Sequence, residues 1–225
     1  MHSSEKRTSK GSTIILSSKS LISLYVEQVL NQKEIPSRVH QFCYDHKINE
    51  AEFYAFFGSF EGIQLEIWNV FFKETMDLLE TDPALSTYSD REKTIAFFHS
   101  FFQILAQHRD YILFALREYK EDLRDVRQLK SLRMHLKSFA EKLVRAEGND
   151  QNQKDPRMSG TIFAEGFWLQ TLFLLKYWMN DDSKDYTNTL NAIENSVHAI
   201  FDVFRSSPSE GVLDFGSLPW KKTGA

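Results

Sequence analysis

The chain has 225 residues, of which 42% are hydrophobic and 14% aromatic, with a formal charge of -4 at neutral pH. That composition supplies a large core and excludes disorder for most of the length, and the charge excludes a general basic field for nucleic acid, so any DNA contact has to come from a local patch. Cys43 is the sole cysteine, which rules out an internal disulfide and a cysteine-built zinc cluster and fits a reducing, cytoplasmic setting.

Residues 1–11 are rich in Ser and Lys without apolar period and read as a disordered N-terminus. From Ser18, the residues Leu21, Leu24, Tyr25, Gln28 and Val29 recur at helical spacing and predict a helix to about Asn31. Pro36 opens a second, short helix with Val39, Phe42 and Cys43 on one face. Lys47-Ile48-Asn49 is a turn, Asn49 caps a third helix over Glu50–Phe57, and Gly58 stops it.

Ser59 caps a long helix from Phe60 to Glu80, which Asp82-Pro83 ends. Ser89 with Glu92 forms a capping box ahead of a helix carrying Phe97, Phe98, Phe101 and Phe102. A break near His108 gives a shorter helix with Tyr111, Ile112 and Phe114. The span from about Asp122 to Glu147 is amphipathic, with Leu129, Leu132, Leu136, Phe139 and Leu143 on one side.

Gly148–Ser159 is a polar loop. Behind it Thr161–Met179 is apolar on nearly every side, yet Glu165, Gln170 and Lys176 interrupt it, whereas a membrane span wants about 20 mostly apolar residues. Asp181-Asp182-Ser183 starts a last helix, Lys184 to Phe204, and the stretch 206–225 is a tail without period. No strand pattern occurs, so the expected class is all-α, with about nine helices, divided at residues 12–63 and 64–205.

The stretch Phe42–Ile63 carries a resemblance. Phe42-Cys43, His46-Lys47-Ile48-Asn49, Phe53-Tyr54, and then Phe57, Ser59, Glu61 and Ile63 fall in step with the helix-turn-helix pattern of the TetR family of bacterial regulators. The number, order and lengths of the helices to Phe204 are similar to that family as well. The resemblance implies a TetR-like fold: an N-terminal helix-turn-helix DNA-binding domain, a larger helical domain holding a hydrophobic small-molecule or lipid ligand, and a homodimer formed through the last two helices. Burial of the Thr161–Met179 helix within one chain is the alternative to that dimer. Some TetR-like proteins assist quinone biosynthesis, and likeness to them offers a second reading, a lipid- or isoprenoid-binding protein without DNA binding.

Several positions depart from the pattern. Lys47 stands where the family has Gly, Phe60 stands where it has a phosphate-touching Lys, and Glu50 and Glu52 sit on the helix that faces the duplex. Residues 1–63 hold seven Lys and Arg against seven Asp and Glu, a net charge of zero. Ser37, Arg38, Lys47, Asn49 and Tyr54 are the candidates for DNA contact. Phe98, Phe102, Phe114, Phe139, Phe167 and Trp168 are the candidates for an apolar pocket, with His99 or His135 as its polar contact.

No spacing fits a metal site, a catalytic dyad or a phosphate loop, so neither an enzyme nor a cofactor is expected. Asp181, Asp182 and Asp185 lie at a helix start, where capping and the helix dipole explain them.

Overall fold

A computed structural model describes residues 16–119, 122–124, 126–147 and 160–206. The described residues form nine α-helices with short 3-10 turns and no strand. The regions expected as N-terminus (1–11), polar loop (148–159) and tail beyond Ser206 lie outside them. The chain divides into two compact units, with the boundary between Ile63 and Gln64.

The first unit holds α1 (Ser18–Gln32), α2 (Val39–His46), α3 (Glu50–Phe56) and the first turn of α4 (Phe60–Glu80). Its core is Leu21, Tyr25, Val29, Phe42, Phe53 and Ile63, all fully buried. Phe60 is the hub: its ring lies 5.7 Å from Tyr25, 5.5 Å from Phe42 and 5.7 Å from Phe53, the last two edge to face. The position that the family resemblance assigns to a phosphate-touching Lys is therefore filled by core.

Between α2 and α3 the chain turns at Lys47, which is left-handed (φ 56, ψ 41). The N–H of Ile48 donates to the Cys43 carbonyl at 2.9 Å and that of Lys47 to Tyr44 at 3.2 Å, the paired bonds of a Schellman stop. Asn49 then starts α3, its Oδ1 accepting the Ala51 N–H at 2.8 Å while Glu52 reaches back to the Asn49 N–H.

The second helix begins at Val39 and not at Pro36. Lys33 closes α1 in the left-handed region and Arg38 is extended (φ -128, ψ 116), so Pro36 belongs to the connection.

The second unit contains the rest of α4, α5 (Asp90–Gln107), α6 (Arg109–Ala115), α7 (Lys130–Glu147), α8 (Gly160–Met179) and α9 (Thr187–Ser206). The Ser89/Glu92 box caps α5 as its sequence indicates. The expected start of α7 at Asp122 is corrected to Lys130. The Asp122 carboxylate takes the Arg124 N–H at 2.9 Å, a local bond that competes with helix, and a 3-10 turn over Arg127–Leu129 follows.

α8 is buried along most of its length, from Phe163 to Met179, with Trp178 fully covered. Its less covered apolar residues are Ile162, 42% exposed, and the half-buried Leu169, Phe173 and Tyr177, beside the exposed Thr161 and Lys176. At its C-terminal end the Arg109 guanidinium donates to the carbonyls of Trp178 (2.8 Å), Met179 (3.3 Å) and Asp181 (3.3 Å), and it lies over the rings of Trp178 and Tyr186.

The last helix starts at Thr187, after a turn in which Asp185 and Tyr186 are left-handed, and not at Lys184. No described helix is long and apolar enough to cross a membrane.

Candidate ligand cavity and helix-turn-helix surface

On the first unit, the outward side of α3 is short of cations. Tyr54 is 52% exposed and Phe56 45% exposed, beside the exposed Ala51, Glu52 and Ala55. Glu50 is held by the His40 Nδ1 at 2.6 Å. Of the residues proposed from sequence, Ser37, Arg38 and Lys47 are exposed, and Arg38 makes no side-chain cap bond. Asn49 is exposed as well, but its side chain is engaged in capping. Tyr54 packs edge to face on Phe53 at 5.5 Å and keeps its outer part free for solvent.

On the second unit, the aromatic residues singled out in the sequence gather mostly into close-packed rings. Phe98 stacks on Phe167 at 4.9 Å, Phe139 lies 5.9 Å from Phe167 and 4.6 Å from Phe97, and Phe102 lies 6.0 Å from Trp178. Phe98, Phe102, Phe167 and Trp168 are buried. Arg133 covers Trp168, and the half-buried Phe114 sits under Arg117 at 4.1 Å.

The two histidines differ. The His135 Nε2 meets the Asn69 Oδ1 at 3.1 Å, and its ring stacks on Phe72. The His99 Nε2 is buried without a hydrogen-bond partner among the described residues. Burial pushes the His99 imidazole below its ordinary pKa, against a smaller opposite pull from Glu194.

A cavity of about 470 Å³ opens elsewhere, at the corner where α4 ends and α5 begins. Met76 and Leu79 of α4, Pro83 and Leu85 of the connection, and Phe139 and Leu143 of α7 form its apolar wall. Glu80, Asp82, Ser86 and Lys93 supply the polar groups. Its size lies within the usual range for small-molecule sites.

Phe139 is the residue shared between this wall and the pocket expected from sequence. The others were missed because they come from separate segments, the end of α4, the 82–86 connection, α5 and α7, and no local pattern in any one of them marks their meeting.

Away from the cavity, Asp181 is committed to structure. The Asp181 carboxylate accepts the backbone N–H of Ser183 and Thr189 and both their hydroxyls, at 2.6 to 2.9 Å. Burial works to raise this carboxyl, but those hydrogen bonds outweigh it and hold it at about 2. No group of three or more His, Cys, Asp or Glu suited to a metal occurs among the described residues.

The family described as tetracyclin repressor-like, C-terminal domain, matches residues 93–218, more than half of the chain. The chain belongs to the TetR family. No curated protein matches it. The matched TetR segment begins at the cavity's Lys93 and contains the wall residues Phe139 and Leu143. A TetR-family regulator is the general assignment this supports.

Proposed function

We propose that this TetR-family protein is a one-component regulator whose helix-turn-helix unit contacts DNA and whose larger unit takes a hydrophobic small molecule that changes that contact. The carrying observation is the span of α4, a single helix from Phe60 to Glu80. Its first turn supplies Phe60 and Ile63 to the core around the turn at Lys47, and its last supplies Met76, Leu79 and Glu80 to the cavity. A ligand that binds two states of that helix unequally shifts the population of both ends.

On this reading Tyr54, Ser37, Arg38, Lys47 and Asn49 make the DNA contacts. With charges balanced in residues 1–63, few phosphates are neutralised, so affinity is modest. Fluorescence anisotropy with the DNA upstream of the coding region, at about 50 mM and about 200 mM salt, tests this. Tyr54→Ala weakens the complex and leaves ligand binding unchanged. Failure to retain any DNA at the lower salt sinks the regulator reading.

The second reading, a lipid- or isoprenoid-binding TetR-fold protein without DNA binding, is favoured by Glu50 and Glu52 on α3. A lipid that copurifies and is identified by mass spectrometry, together with absent DNA retention, selects it. Both readings include a homodimer through α8 and α9, supported by Ile162 and by Leu190, which is 37% exposed, on their outer sides. Sedimentation at micromolar concentration tests it, and a monomer overturns it.

A further inference from the structure

We propose that the cavity at the α4–α5 corner selects lipophilic cations: an aliphatic or aromatic body carrying one fixed positive charge. This rests on the reading above that the cavity is a ligand site, and it adds the charge of the ligand.

The body is matched by Met76, Leu79, Leu85, Phe139 and Leu143. The adaptable Met76 thioether suits ligands of differing shape. The selectivity comes from the polar side. Glu80 is exposed at the last position of α4, where the helix dipole presents its negative end, and no basic residue stands in that turn. An acid at a helix C-terminus is unfavourable for the helix, and no described residue offers Glu80 a hydrogen bond or ion pair in return, whereas a cation beside it relieves both the carboxylate and the carbonyl ends.

Asp82 adds a second carboxylate two residues later, fixed by accepting the Ala84 N–H at 2.9 Å. Among the described lining residues the one cation, Lys93, has its Nζ 3.5 Å from the Asp90 Oδ1, and Asp90 is only 5% exposed. Lys93 is thus offset by a carboxylate of its own. Even with Asp90 protonated, two carboxylates face one ammonium. The start of α5, the positive end of a dipole, is already matched by Asp90 and Glu92. The sum is an apolar cleft with an acidic mouth, which repels fatty acids and attracts amines and quaternary ammonium groups.

The test uses the full chain at low salt with three probes that share a tail: decyltrimethylammonium and decanoate below their micelle concentrations and decanol below its solubility limit, each followed by calorimetry. The expected order is ammonium, alcohol, acid, with about tenfold or more between the first and last. Glu80→Lys lies on the surface, leaves the fold intact and reverses that order. Leu143→Trp fills the cavity and weakens all three.

Equal binding of the three, or tightest binding of decanoate, overturns the cation selectivity and leaves the cavity reading standing. Absence of binding by all three removes the cavity reading with it. Ammonium binding unchanged by both variants places the cation elsewhere and overturns the proposal.

Discussion

Phe60 meets Phe42 edge to face at 5.5 Å in the middle of the helix-turn-helix unit, and both side chains are buried. The start of α4 is therefore held to α2 by aromatic packing at a position where related chains are expected to offer a cation. Phe60→Lys tests how far this unit depends on that exchange. Large-to-small losses at buried Phe cost about 3–5 kcal/mol, and a Lys here also has to lose or bury its charge. Urea denaturation of the variant is expected to show a loss of at least that order. A loss under about 1 kcal/mol shows that Phe60 is not the hub.

Lys47 pays a conformational cost that a glycine avoids. Its φ of 56 lies in the left-handed region, where a side chain costs on the order of 1 kcal/mol. Lys47→Gly is expected to raise stability by about 0.5–1 kcal/mol, while Lys47→Ala, which keeps a Cβ, stays within a few tenths. Thermal melts of the two variants side by side separate backbone strain from loss of the ammonium. Equal effects contradict the strain.

These two residues also show what the sequence made legible. Caps and stops are local, so Asn49, Ser89 with Glu92, and the break at Asp82-Pro83 marked helix ends directly. Periodicity misled where a local bond competed with helix: Asp122 turns the chain back on the Arg124 N–H, and α7 waits until Lys130. The cavity was harder to see for a different reason. Phe97, Phe98 and Phe167 at helical spacing satisfy one another as packed rings, whereas the open space lies where Leu79, Pro83 and Leu143 approach from three separate segments. Nothing in any one segment announces that meeting.

Asp181 makes the start of α9 acid-sensitive. Its folded pKa of about 2 lies below the ordinary carboxyl value of 3.8, so its contribution is complete above pH 4 and disappears as pH falls toward 2. The difference corresponds to about 2 kcal/mol. Asp181→Asn is expected to lower stability at neutral pH by that order, and its deficit against the parent narrows in acid. A deficit that stays constant from pH 7 to pH 2.5 contradicts the linkage.

His99 and His108 add a dependence at higher pH. Burial lowers both imidazole pKa values, with smaller opposing pulls from Glu194 and Glu74. The unfolded chain takes up protons near pH 6.5 before the folded one does, so stability falls as pH drops below that value. The double variant His99→Gln/His108→Gln is expected to flatten the slope of unfolding free energy between pH 7 and pH 5. An unchanged slope shows that other groups set it.

The Arg109 clamp has a mechanical consequence. Helices normally open from their ends, because the last carbonyls are bonded to water and a terminal turn unwinds at little cost. At the end of α8 two of those carbonyls, Trp178 and Met179, and that of Asp181 just beyond are taken by one guanidinium, itself flanked by Trp178 and Tyr186. Fraying is closed as a route there, and the turn at Trp178–Asp181 unwinds only when Arg109 lets go of the whole corner. Helix α8 thus has a latched end, and its hydrogen exchange from that side is expected to be cooperative with α6 instead of gradual.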